Sequence, residues 1–349
     1  MPIKFSTQEL FGAGAALLIA LAILLNGEKI GRLLGVIDHP DSVRKMHARA
    51  TPLVGGIAMM VPLILWSLAG FAMPAVTQDG YVPLAGVICG SAVALLGFFD
   101  DRTPLSPLLR FVALLALTVL ALFIDPRLLP HAFHWNASVS TPVAPWLSYV
   151  LVAIGMTGFV NAVNMADGQD GCVAGMFAIW SSCAILASGG VTAGLAGMIL
   201  ATSIVVLAFN LRGKVFLGGA GAYGVTFVFG LLILRLHNHW GVMAQTIIIW
   251  LFIPIVDCLR LMVTRPLQGQ SPFHADRNHF HHRLQRRFGE STGLTIYLGA
   301  VAVTSFTATL APASAPTVLL LLAGIYACLM LLTGEAAARP VPVKIRRRD

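Results

Sequence analysis

The residues with chemical potential fall in four short stretches. In Gly97-Phe98-Phe99-Asp100-Asp101-Arg102, two carboxylates stand side by side where an apolar run ends. Like charges this close raise one another's proton affinity unless a cation intervenes, and their titrations are coupled. A solvated loop start would explain the pair, and so would a base or a hard-oxygen site for Mg²⁺. The stretch Asn161-Ala162-Val163-Asn164-Met165-Ala166-Asp167-Gly168-Gln169-Asp170-Gly171 repeats a polar residue every three positions. On a helix such neighbours share a face, so Asn161 and Asn164 can point together into a bundle. Gly168 and Gly171 then release the chain into a loop presenting Asp167 and Asp170. The third stretch, Ser271–Arg283, holds four histidines among Asp276, Arg277 and Asn278. The usual zinc-ligand spacing is missing. A phosphate- and sugar-binding loop with Arg and His as donors is more economical than a metal site or a plain solvated loop. The fourth, Asp38–His47 followed by Thr51–Gly56, sets Arg44 and Lys45 beside Asp38 and Asp41. Its basic residues would also be explained by membrane orientation alone, and Gly55-Gly56 suggests a close backbone approach.

The elements that must carry these residues belong to a membrane protein. Of 349 residues, 57% are hydrophobic and only 11% charged, where a soluble domain would carry about a quarter charged residues. The apolar runs reach the roughly 20 residues a helix needs to cross hydrocarbon. They are apolar on every face, unlike the alternating strands of a membrane barrel. The expected fold is an all-α polytopic membrane protein with about eleven transmembrane helices. These spans are Thr7–Leu25, Leu53–Phe71, Val82–Phe99, Pro107–Ile124, Trp146–Val163, Val173–Ala187, Val191–Phe209, Phe216–Leu236, Val242–Val263, Leu294–Leu310 and Pro316–Leu332. The first is expected to be a retained span rather than a cleaved signal. With the N-terminus outside and the C-terminus cytoplasmic, all 23 Lys and Arg except Lys4, Arg127 and Arg235 fall on the cytoplasmic side. All four stretches then share that side. Residues 1–349 form one membrane-embedded domain, and 334–349 read as a basic cytoplasmic tail anchoring the topology. The net charge of +8 follows from this insertion rule and suits anionic headgroups, so it gives no reason to expect a nucleic-acid partner. The five cysteines contain no CxxC pair, and neither a disulfide framework nor a thiolate metal site is indicated.

Taken in order, the stretches resemble the polyprenyl-phosphate N-acetylhexosamine-1-phosphate transferase superfamily. The matching patterns are D-x-P-x-x-x-R-K-x-H…P-x-x-G-G at Asp38–Gly56 and G-F-x-D-D at Gly97–Asp101. N-A-x-N-x-x-D-G-x-D-G follows at Asn161–Gly171, F-N-x-x-x-K-x-F-L-G at Phe209–Gly218, and P-F-x-A-D-R-N-H-x-H-H-R-L at Pro272–Leu284. The R-N-H-x-H-H form resembles the branch that uses UDP-GlcNAc. The resemblance implies a Mg²⁺-dependent transferase, with Mn²⁺ as the alternative ion. A polyprenyl (undecaprenyl) phosphate oxygen would attack the β-phosphate of a UDP-N-acetylhexosamine, and UMP would leave. It also implies a bacterial inner-membrane location, a site facing the cytoplasm, and a homodimer as an admissible assembly. Asp100, Asp101, Asp167 and Asp170 would be its catalytic acids, with Asn164, Asp100 and Asp101 at the metal. Arg277, His279, His281 and His282 would contact phosphate or sugar. Arg44, Lys45, His47, Arg110 and Asn161 would join them on the substrate side.

The chain departs from the family pattern at one place. After Phe216-Leu217-Gly218 the family has Asp-x-Gly-Ser, and this chain has Gly219-Ala220-Gly221-Ala222. One anionic oxygen is thereby missing, although water can replace a ligand on Mg²⁺. Two alternatives therefore accompany the transferase. One is a catalytically impaired paralogue that still binds nucleotide-sugar or lipid phosphate. The other is a transporter, because acids inside membranes mark ion paths. Asp257 is the only acid well inside a late span, with Arg260 or Arg265 to neutralise it.

Overall fold

The computed structural model describes residues 7–39, 50–72, 84–136, 138–272 and 276–334. Arg44, Lys45 and His47 lie outside the described residues, as do His274 and the tail from residue 335. The chain runs through α1 (Thr7–Leu25), a short α2 (Gly27–Leu34), α3 (Gly55–Ala72), α4 (Leu84–Arg102) and α5 (Pro107–Ile124). It continues with α6 (Pro145–Ala166), α7 (Cys172–Leu186) and α8 (Gly190–Asn210). A π-helical turn, Ala220–Val225, leads into α9 (Thr226–Trp240), followed by α10 (Ala244–Leu267), α11 (Phe280–Phe288), α12 (Glu290–Leu310) and α13 (Ala315–Leu332).

Among the described residues, nine helical segments are long and apolar enough to cross a membrane, and Gly55–Ala69 and Cys172–Leu186 are shorter apolar helices. Together they fall on the eleven spans expected from the sequence. The protein is an all-α polytopic membrane protein. Its helices start and stop where local chemistry says they should. Pro107 and Pro145 sit in first turns, where a missing N–H is harmless, and the Ser106 hydroxyl accepts from Leu109 N–H. Gly35 and Gly241 close α2 and α9 in the left-handed conformation, at φ 67° and 66°.

Burial separates a centre from a rim. Segment Ala220–Trp240 is 89% buried, whereas Pro107–Ile124 and Pro312–Leu332 are each 22% buried and show their leucines to lipid. The centre is closed by Phe159, Phe177, Trp180 and Phe229, and Trp180 donates to the Trp250 carbonyl at 2.8 Å. Aromatic clusters of this kind contribute packing beyond their area.

Small elements at the loop end set the site. Strands β1 (Ile37–Asp38) and β2 (Thr51–Pro52) pair antiparallel, Ile37 opposite Pro52. The next residues stitch this hairpin to the chain entering the π-helical turn. Phe216 N–H donates to Pro52 O at 3.0 Å, Gly55 N–H to Phe216 O at 3.0 Å, and Gly56 N–H to Leu217 O at 2.7 Å. The close approach expected at Gly55-Gly56 is present, since a Cβ on Gly56 would fall on the Gly221 backbone. At the other end, β3 (Ala132–His134) and β4 (Ser140–Pro142) form a second hairpin in the connection between α5 and α6.

Candidate active site

Consecutive helical residues point about 100° apart, and Asp100 and Asp101, in the last turn of α4, accordingly meet different neighbours. Asp100 turns toward α5. Its Oδ2 accepts from Arg110 Nη1 at 2.8 Å and from the Tyr223 hydroxyl at 3.1 Å, and its Oδ1 accepts from Leu105 N–H at 2.8 Å. Arg110 also donates to the Tyr223 oxygen at 2.9 Å, and its Nε is buried with no hydrogen-bond partner among the described residues. Asp101 turns instead toward the π-helical turn, where its Oδ2 accepts from Gly219 N–H at 2.8 Å. The neighbouring acids thus have separate tasks: Asp100 orders Arg110, and Asp101 faces the next acidic loop.

That loop follows α6. Asp167 caps the helix end, and Asp170 Oδ1 accepts from Asn210 Nδ2 at 2.9 Å. Asn210 also donates to Val215 O at 2.9 Å and accepts from Gly171 N–H at 2.6 Å, so one side chain ties the acidic loop to the chain before Gly218. Asp167 lies deep among these loops with part of its surface still open. Burial, then the charges of Asp101 and Asp170, push its carboxyl well above the usual carboxylate range. Asn161 and Asn164 are half-buried on successive turns of α6. Asn161 donates back to Thr157 O at 2.8 Å, so its amide is partly committed to its own helix.

The histidine loop leans on this cluster. A Cβ on Gly168 would meet His281 Nε2 at 2.7 Å and His282 Nε2 at 3.0 Å, so any side chain there would push the two rings aside. The His281 and His282 ring centroids lie 4.2 Å apart, and His281 Nε2 is buried without a hydrogen-bond partner among the described residues. Burial, then the neighbouring His282 and His279, hold His281 well below the usual imidazole range. Burial and then the Arg277 charge lower His282 to about 4. Arg277 is exposed at the lip. His279 faces the other way, donating from Nδ1 to Asp257 Oδ2 at 3.0 Å. Of the two arginines considered for Asp257, Arg260 pairs with it at 2.8 Å, while Arg265 pairs with Asp276 at 3.0 Å.

The sequence-derived residues therefore sort into two groups. Asp101, Asp167, Asp170, His281 and His282 converge around Gly168 and Gly219, while Asp100 with Arg110, and His279 with Asp257, hold the flanks. Three contributors had not been singled out as site residues. Asn210 stood inside a quoted motif. Tyr223 looked like an ordinary apolar-span residue, and Asp257 was read as a transport signal that Arg260 or Arg265 would neutralise.

The residues fit a hard divalent cation in chemistry rather than as a ready-made cage. Among the described residues, no group of three or more His, Cys, Asp or Glu is poised to hold an ion. Mg²⁺ does not need one, since it keeps several waters and takes one or two carboxylates plus substrate phosphates. The raised proton affinity of Asp167 beside Asp101 and Asp170 marks negative charge that a cation would offset.

Gly219 is not a simple vacancy. A Cβ there would fall on the Gly97 carbonyl, and one on Gly97 would fall on the Gly219 carbonyl. Backbone packing has closed the position where the family pattern places its aspartate, and the Gly219 N–H faces Asp101 instead.

Sequence comparisons agree with the motif reading. The family model described as glycosyl transferase family 4 matches residues 83–237. The undecaprenyl-phosphate alpha-N-acetylglucosaminyl 1-phosphate transferase of Yersinia pestis is 29% identical over 292 residues, covering 77% of this chain and 74% of that protein. A probable undecaprenyl-phosphate N-acetylglucosaminyl 1-phosphate transferase of Bacillus subtilis is 29% identical, covering 81% and 79%. The Escherichia coli K12 counterpart of the Yersinia protein is 27% identical, covering 77% and 74%. The resemblance drawn from the motifs is borne out.

Proposed function

We propose that this chain, whose residues 83–237 match the glycosyl transferase family 4 model, transfers N-acetylglucosamine-1-phosphate from UDP-GlcNAc to a polyprenyl phosphate such as undecaprenyl phosphate. A lipid phosphate oxygen forms the new bond to the β-phosphorus, the bond to the UMP oxygen breaks, and UMP leaves. The product is a lipid-linked sugar pyrophosphate that begins a glycan. The reading places the site on the cytoplasmic side of a bacterial inner membrane.

The observation that carries it is the meeting of Asp101, Asp167 and Asp170 beneath two neutral histidines at Gly168. Mg²⁺, or Mn²⁺ in its place, would take one or two carboxylates from among Asp101, Asp167 and Asp170, with Asn164, waters and the substrate phosphates completing its shell, and would offset the diphosphate charge. Arg110, aimed by Asp100 and Tyr223, supplies a cation for the lipid phosphate. Arg277, His281 and His282 present donors to the sugar nucleotide. The acids need not take a proton from the attacking group, because a phosphate monoester is already largely ionised near neutral pH (second pKa about 6). Their work is positioning and charge stabilisation, which dominate phosphoryl transfer.

A second reading, binding without turnover, is favoured by Gly219 and its closed packing against Gly97. One assay separates the two. Purified protein in lipid, with Mg²⁺, undecaprenyl phosphate and either UDP-GlcNAc or UDP-GalNAc, should release UMP with the first sugar nucleotide. Asp101→Asn should abolish the release. Wild-type protein that binds UDP-GlcNAc but never turns over would establish the second reading.

A further inference from the structure

Asp257 lies in α10, outside the acidic cluster, and no step proposed above uses it. It is nonetheless among the most heavily hydrogen-bonded side chains near the site. Its Oδ1 accepts from Arg260 Nη2 at 2.8 Å, Arg260 Nε at 3.2 Å and the Tyr326 hydroxyl of α13 at 3.2 Å. Its Oδ2 accepts from His279 Nδ1 at 3.0 Å and from Phe280 N–H at 3.1 Å. The last bond is informative. Phe280 opens α11, whose own N-cap residue, His279, makes no side-chain capping bond. Asp257 therefore caps α11 from a different helix, at the end where the helix dipole favours negative charge.

The same carboxylate fixes the ring of His279, because accepting at Nδ1 leaves Nε2 as the ring acceptor, 3.4 Å from Arg265 Nη2. Arg265 continues the clamp by donating to Asp276 Oδ2 at 3.0 Å and Pro272 O at 2.8 Å. Arg260 reaches past Asp257 to Asn278 O at 2.7 Å. Both borders of the loop, Pro272 and Asp276–Phe280, are thus tied to α10 through one charge network. The His281 and His282 rings, one and two residues into α11 from Phe280, are carried to Gly168 by that attachment. His279 and His281 lie nearly parallel, 14° apart with centroids 5.5 Å apart, so the held ring is also a wall for the presented one.

We infer that Asp257 is a positioning residue that sets the histidine loop for the sugar nucleotide, acting through His279 and the α11 N-terminus. His279 belongs to this clamp and not to the substrate-contacting set. The inference rests on the transferase reading, and it makes a split prediction. The clamp supports the sugar-nucleotide side, whereas Arg110 and Asp100 on the lipid-phosphate side are held by Tyr223 and Leu105, which the clamp does not touch.

The test compares wild type with Asp257→Asn, which keeps size and one acceptor, using UDP-GlcNAc titration and steady-state UMP release. Expected is about a tenfold or greater loss of UDP-GlcNAc affinity, in the range seen for residues that orient a ligand-bearing side chain. The KM for undecaprenyl phosphate should stay within about twofold. His279→Gln should give the same split, and the double variant should be no worse than Asp257→Asn alone, because the His279 path runs through Asp257. If Asp257→Asn does not fold, His279→Gln decides by the same readings. Unchanged UDP-GlcNAc affinity, or equal damage to both substrates, overturns the inference. A wild type that neither binds UDP-GlcNAc nor releases UMP overturns the transferase reading and the inference with it. A wild type that binds without turnover overturns only the former, and the titration still decides the latter.

Discussion

Asp167 and Asp257 lie on either side of the histidine loop, and their surroundings are opposite. Asp257 gathers donors from α10, α11 and α13 until its charge is answered several times over. Among the described residues, the charges that act most on Asp167 are those of Asp101 and Asp170, of its own sign. Burial of a charge is costly unless it is paired, so the two acids cannot serve the same purpose. One completes a structure already finished, and the other has no opposite charge beside it among the causes that set its proton affinity in the described residues. Intramembrane acids are usually read as a single class of functional signal. Here the useful distinction is whether the protein itself supplies the counter-charge.

The contrast is broken most severely at Asp167. If the acidic cluster awaits a cation, Asp167→Asn should lower UMP release by at least about 100-fold while leaving the thermal midpoint equal to or above that of wild type. Chelation of divalent ions should silence the wild type, and Mg²⁺ should restore it. Release that continues in excess chelator would show that these acids do not work through a metal. The sign of the stability effect follows from linkage: a carboxyl whose proton affinity rises on folding costs stability once ionised. Neutral asparagine removes that cost.

Gly219 tests whether the cluster lacks an oxygen or has been rebuilt without it. Introducing Gly219→Asp puts a side chain onto the Gly97 carbonyl. Overpacking of this kind costs about 1–3 kcal/mol, so the variant should melt earlier and release no more UMP than wild type. A gain in turnover would mean that the crossing opens readily and that the missing carboxylate had been limiting.

How much of this was legible in the sequence depends on how local the cause is. The spans were legible because a lipid-facing helix needs apolar residues on every side, and composition alone records that. Asp101, Asp167 and Asp170 could be singled out because Asp and Gly gather at the ends of apolar runs, although a plain turn would gather them there too. The split between Asp100 and Asp101 was not, since it depends on which way the last turn of α4 faces across to Arg110 and Gly219. The pairing of Asp257 with Arg260 was legible from their spacing, but its bond to His279 was not, since a lone acid in a span reads alike whether it lines a pore or receives a loop more than 20 residues later. The helix α11 was missed because its nine residues, FHHRLQRRF, look like a basic loop. It becomes a helix by burying Phe280 and Leu284 and by borrowing its cap from Asp257.

A smaller effect is expected at Tyr223, whose hydroxyl accepts from Arg110 and donates to Asp100. Tyr223→Phe leaves the direct Arg110–Asp100 pair in place, so about 0.5–1.5 kcal/mol should be lost. That is up to about tenfold in kcat/KM for undecaprenyl phosphate, with UDP-GlcNAc affinity unchanged. A change confined to UDP-GlcNAc would place Arg110 on the other substrate.

The mildest test bears on the histidines between the two acids. Burial first, then Arg277, hold His282 near 4 against an ordinary 6.5, so the folded loop refuses a proton that the unfolded chain accepts. Above about pH 6.5 both states are neutral and the residue adds no pH dependence. Between about 6.5 and about 4 the unfolded chain gains the proton, and stability falls as pH falls. His282→Asn removes that term. Its thermal midpoint should therefore decline less steeply than that of wild type over this window, by on the order of a few degrees, and run parallel above it. Parallel curves throughout would mean that His282 protonates freely in the folded protein. The histidine loop would then be a second place awaiting charge, and the contrast between Asp167 and Asp257 would no longer divide the site.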